Sequence, residues 1–181
     1  MRTRILVVVL LLGTLCSCTT LVVQGAVPRC SAGDEVSDEL ILEAQSVPTA
    51  HLLPCLTEIP PNWMVTEFRV RDGETSIALA HEAAGGVVQA TLTEDCDTSD
   101  ATEEFSGKED TRLFVTISSA GEDALIGTHY YTFAGGCVTY SFDLRGAGKG
   151  ARYAEARGAL DFTPRTSVEE GVENETDFEF Q

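Results

Sequence analysis

The chain is poor in positive charge. Against 29 aspartates and glutamates stand 12 basic residues, leaving a formal net charge of −17. Only two of those twelve are lysines, Lys108 and Lys149. Nucleic acid and anionic lipid both select basic surfaces, so this balance excludes them as electrostatic partners. Signatures of chemistry are also missing. There is no Gly-x-Ser-x-Gly elbow and no His-Glu-x-x-His helix, and His51, His81 and His129 are scattered. Asp95, Asp97 and Asp100 lie in an acidic stretch that places oxygens as a calcium loop does. The sixth and twelfth positions hold Asp100 and Ser106, where an EF-hand needs Gly and Glu. Residues 146–150 are glycine-rich around Lys149, but Gly150 follows the lysine and Asp143 takes the place of the earlier glycine of a phosphate loop. No internal repeat is visible. Nothing here points to a catalytic residue, a metal or a cofactor.

At the N-terminus, Arg2 and Arg4 precede an unbroken apolar run over residues 5–12, and small residues follow. That order is a secretory signal pattern. The end of the run reads Leu15-Cys16-Ser17-Cys18. It resembles the signal of bacterial lipoprotein precursors, with Leu15 at −3, Ser17 at −1 and Cys18 at the modified position. The resemblance covers residues 1–18 alone. It implies a signal peptide over residues 1–17 and lipidation of Cys18, hence a lipid anchor at the extracytoplasmic face of the cell membrane. Two acyl chains hold a protein stably where one does not. Cleavage after Gly25, giving a secreted protein, and a retained anchor over residues 5–23 are the competing readings.

Setting aside Cys16 and Cys18 leaves Cys30, Cys55, Cys96 and Cys137. An even number in an exported chain reads as disulfides, with three connectivities open. Cys30–Cys55 and Cys96–Cys137 are favoured, since each pair brackets one contiguous unit. No two of the four are close enough for the usual zinc-ligand spacing.

The remaining chain divides into a tether over residues 18–29, one disulfide-stapled extracytoplasmic domain over 30–165, and a disordered acidic tail over 166–181. Leu40, Ile41, Ala44 and Val47 share a helical face, Ser37 caps it and Pro48 stops it, which predicts a helix over residues 34–47. Residues 51–56 read as an ordered loop laid over the core. Period-two patterns then predict a hairpin over 64–82 turning at Asp72-Gly73, and a strand through Val88, Ala90 and Leu92. Residues 95–111 read as a long acidic loop. Further strands fall at 112–119, 128–133 and 137–144. Residues 151–160 read as a short helix, with Leu160-Asp161-Phe162 as a strand alternative. Segregated helices and hairpin-linked strands give the α+β class: an antiparallel sheet of about six strands, an N-terminal helix and a C-terminal helix. An all-β barrel-like fold is the alternative.

Tyr131, Phe133, Tyr140 and Phe142 form the candidate ligand face. Cross-strand core pairing is the plainer use of such residues. Trp63 beside Pro60-Pro61 is either a partner anchor or a lid on the core. Strong export features without a catalytic motif point to a membrane-anchored, non-catalytic binding or adaptor module with an envelope protein partner. A carrier of small hydrophobic ligands, and a hydrolase built around His81 or His129, are the alternatives.

Overall fold

A computed structural model describes residues 21–23, 27–30, 36–82 and 86–176. The expected signal peptide, Cys18, most of the expected tether, residues 34–35 of the expected first helix and residues 177–181 lie outside the described residues. The elements run β1 (Leu21–Val23), α1 (Asp38–Ser46), β2 (Leu52–Leu56), β3 (Trp63–Arg71), β4 (Glu74–His81), β5 (Gly86–Thr93), β6 (Thr102–Glu104), β7 (Arg112–Ala120), β8 (Ala124–Phe133), β9 (Gly136–Arg145), α2 (Lys149–Ala159), β10 (Leu160–Pro164) and α3 (Arg165–Thr176).

Eight strands form one sheet in the order β1-β3-β4-β5-β9-β8-β7-β6, and β2 pairs with β10 in a separate ribbon. Every one of these pairings is antiparallel. The α+β class holds, with more strands than the six expected. The extra strands are short or atypical. β1 falls inside the stretch read as a tether, and β6 inside the long acidic loop. β2 occupies the stretch read as a loop over the core, where Pro54 sits mid-strand opposite Phe162. Leu56, two residues on, turns its N–H away from β10 to the Pro28 carbonyl at 2.8 Å, and Pro54 shares that side, so its missing N–H costs the β2–β10 ladder nothing.

Alternation along the strands separates the two faces of the sheet. Phe68, Ile77, Leu79, Val88, Leu92, Leu113, Val138 and Leu144 are buried on one face. Thr91, Thr128, Tyr130, Thr139 and Ser141 on the other are only partly covered. The helices and the β2–β10 ribbon cover the apolar face. β3 and β7 each carry a register shift, between Val65 and Glu67 and between Ile117 and Ser119. Such bulges bend a strand and increase its twist.

α1 begins as expected: the Ser37 hydroxyl accepts from the Leu40 N–H at 3.4 Å. Its inner face buries Leu40, Ala44 and Glu43. Both readings of residues 151–162 are realised in succession, as α2 and then β10. The disordered tail expected from residue 166 is corrected, since residues 165–176 are helical. Val168 alone of this helix is a buried large hydrophobic, so no apolar period is visible in its sequence. The helix is held by tertiary contacts instead. Arg165 donates from Nη2 to the Ala44 and Val47 carbonyls at 2.9 and 2.7 Å, and from Nε to Ala50 at 2.6 Å. It thereby satisfies carbonyls that the end of α1 leaves open.

The disulfides are Cys30–Cys55 and Cys96–Cys137. The first ties the segment before α1 to β2. The second ties the chain leaving β5 to the start of β9. Loops of this size are worth about 3–4 kcal/mol each in the chain-entropy account. Disulfides persist in oxidising compartments, so the pair agrees with an extracytoplasmic setting. Among the described residues no helix is long and apolar enough to cross a membrane.

Candidate functional site

A surface cavity of about 610 Å³ opens where four separate segments meet. His51 and Leu52 come from the approach to β2, Phe133 and Ala134 from the β8–β9 turn, and Pro164, Arg165 and Glu169 from the β10–α3 junction; Asp110 comes from the loop before β7. A second cavity of about 400 Å³ shares Leu52, Asp110 and Pro164 with it and continues past Lys108, Asp161 and Phe162. The two make one groove along the β2–β10 ribbon.

The walls are fixed by the main chain. The His51 N–H donates to the Ala134 carbonyl at 3.1 Å, and the Arg165 N–H donates to the His51 carbonyl at 2.9 Å. Three of the four segments are thus joined through His51. The β8–β9 turn fits because it is glycine. Gly135 has φ +69°, and a Cβ there would lie 1.8 Å from the Thr49 carbonyl oxygen. At Gly136 a Cβ would meet the Phe133 ring at 2.5 Å.

The fourth segment is tied by Lys108, whose ammonium donates to the Leu160 carbonyl at 2.6 Å and to Asp161 Oδ1 at 3.1 Å. It also lies 5.8 Å from the centre of the Phe162 ring. Asp110 adopts φ +54°. A left-handed backbone is uncommon outside glycine and is held there by its surroundings. The Thr111 hydroxyl, donating to the Lys108 carbonyl at 2.9 Å, closes the turn around it.

The groove therefore offers an apolar floor of Leu52, Phe133 and Pro164 between carboxylates at Asp110 and Glu169. The Arg165 guanidinium donates to carbonyls of residues 44–50 and also lies 3.9 Å from Glu169 Oε1, and Lys108 is engaged on β10. With Asp110 and the loosely paired Glu169 the rim is acceptor-rich, suited to a ligand with an apolar body and hydrogen-bond donors.

Of the candidate ligand face, only Phe133 lines this groove. Tyr131, Tyr140 and Phe142 are 0%, 2% and 3% exposed. They form a packed box around His129, with ring centroids 5.4–6.3 Å from its own. The Tyr153 hydroxyl meets His129 Nε2 at 3.0 Å, and Arg157 Nε donates to the Tyr131 hydroxyl at 3.2 Å. Burial, with the nearby Arg157 charge, pushes the His129 pKa down to about 4, so the ring is neutral at ordinary pH. Burial also raises the Tyr140 and Tyr153 phenols. These aromatic groups serve the core. The same holds for Trp63, which is buried, packs edge-on to His81 at 5.3 Å and donates to Glu155 Oε2 at 3.3 Å. It is a lid on the core.

The glycine-rich residues 146–150 turn into α2, and Lys149 donates to the Glu122 carbonyl at 2.6 Å. In the aspartate loop, Asp97 accepts from the Ser99 N–H at 3.0 Å. Among the described residues no three His, Cys, Asp or Glu side chains converge as metal ligands. His51, Asp110, Arg165 and Lys108 were not singled out as a group by the sequence. They are far apart in the chain, and no local pattern joins them. Comparison of the chain with protein families, curated proteins and solved structures finds no match.

Proposed function

We propose that the protein is an envelope lipoprotein, held at the extracytoplasmic face of a bacterial membrane through Cys18, and that its domain is a non-catalytic binding or adaptor module. Its ligand lies in the groove beside the β2–β10 ribbon. The observation that carries this reading is the groove itself, three of whose walls are set by main-chain hydrogen bonds and a glycine contact and the fourth by the Lys108 side chain. A preorganised concave site loses less entropy on binding. The export signal and the disulfides support the location. Only Thr19 and Thr20 separate Cys18 from β1, so a lipid on Cys18 would hold that edge of the sheet within about 10 Å of the bilayer.

Two measurements test the two halves. Metabolic labelling with a palmitate analogue should mark the protein and spare Cys18→Ala; label retained in the variant rejects the anchor. NMR titration with short-chain alkylamines should move the signals of Phe133, Asp110 and Glu169 together. Shifts scattered over the surface, or none, reject the groove.

A further inference from the structure

The end of the main sheet opposite β1 in the strand order carries a second surface. β6 is the last strand in the order, so one side of its backbone has no strand beside it among the described residues. The residue that follows, Phe105, is 91% exposed. Its neighbours in that respect, Met64, Val87 and Ile117, are about half as exposed, at 46–48%. A phenylalanine this exposed forgoes nearly all of the stabilisation that burial would bring.

The platform beneath Phe105 is held in place. Cys96 is bonded to Cys137, and Arg112 grips the Glu103 carboxylate through two hydrogen bonds of 2.9 and 3.0 Å. Lys108 ties the far end to β10, and the Ser106 and Thr111 hydroxyls are hydrogen-bonded to each other. An aromatic ring exposed to water next to an open strand edge has the composition of an interface anchor.

Charge selects the occupant. Residues 94–110 carry eight carboxylates against one lysine, Lys108. A second copy of this edge would set acid against acid, which disfavours pairing. Nucleic acid and anionic lipid are repelled. A polypeptide whose lysines or arginines alternate with apolar residues fits all three features. Its backbone continues the sheet, its apolar side chains cover Phe105, and its cations meet Glu104 and the other carboxylates of residues 94–110 that Arg112 does not hold.

We propose that β6 and Phe105 form a docking edge for a basic, extended segment of a partner protein, which adds as a strand beside β6. The edge needs neither the groove nor the lipid on Cys18, so it stands or falls separately from them.

The test uses the purified full-length protein in detergent and a synthetic peptide of about seven residues alternating Lys and Val. Saturable binding is expected in low salt, weakening as ionic strength rises. Phe105→Ala should weaken it about tenfold or more, which is one aromatic contact's worth, and Phe105→Leu should retain most of it. Hydrogen exchange should show amides of residues 102–105 gaining protection. A peptide of the same charge with a central proline should bind far less. The proposal is overturned by absence of saturable binding up to about 1 mM peptide. Equal affinity for Phe105→Ala, protection gained elsewhere, or equal binding of the proline peptide would each overturn it too. Phe105 makes no core contact, so its variants test docking rather than folding.

Discussion

Thr49 and Gly135 meet backbone to backbone: a Cβ on Gly135 would come within 1.8 Å of the Thr49 carbonyl oxygen. Gly135→Ala must break that contact and also place a side chain at φ +69°. We expect a loss of about 2–4 kcal/mol in denaturant unfolding, combining a left-handed backbone with overpacking. Gly158, in α2, has open space around its Cβ position. Gly158→Ala should stabilise by about 0.5–1 kcal/mol. Equal effects at the two positions would contradict the Thr49 contact.

Glu43 is fully buried, with one oxygen 3.5 Å from the Thr75 hydroxyl and the other without a hydrogen-bond partner. Burial raises its pKa well above the usual range, opposed by the Thr75 hydrogen bond and helped by the nearby Glu39 charge. The folded state therefore keeps a proton that the unfolded state releases. Stability from this group is present at low pH and is lost as pH rises above the ordinary glutamate pKa. Glu43→Gln, which stays neutral, should gain on the wild type in chemical unfolding as pH rises from 5 to 8. A gap that does not widen with pH contradicts a buried, protonated Glu43.

His129 acts in the opposite direction. Its folded pKa of about 4 lies below the ordinary value of 6.5. The unfolded chain takes up a proton first as pH falls, so stability is full above about 6.5 and is lost between there and about 4. Burial makes charging the ring costly, so the loss is concentrated in that window. His129→Gln should flatten the acid limb of the stability profile, whatever it costs in packing at neutral pH. An acid limb of unchanged slope would contradict the buried neutral ring. Together, Glu43 and His129 confine maximal stability to mildly acidic and neutral pH.

Much of the sheet was legible because its strands repeat with period two, as at Phe68, Val70, Ile77 and Leu79. The disulfide pairing was legible because each pair brackets one unit, and Ser37 and Pro48 marked the ends of α1. β6 and α3 were not legible. Thr102, Glu103 and Glu104 have no apolar face, and the strand exists because β7 offers an edge beside it. α3 exists because Arg165 reaches the end of α1 and Val168 finds the core. The groove was legible only through Phe133. Its other walls depend on where Thr49, His51 and Arg165 meet, which no local pattern encodes. The other three members of the aromatic face were read correctly as β residues, but their rings went to enclosing His129.

The strand order has a consequence for reach. Seven inter-strand steps separate β1 from β6. At about 4.8 Å each they make a path on the order of 30 Å along the sheet, curved by the bulges in β3 and β7. A chain tethered by its first mature residue would be held by one rim of that curved sheet, with the acidic rim at the other end of the strand order. How the curvature presents the free rim would then decide which molecules in the envelope it can touch.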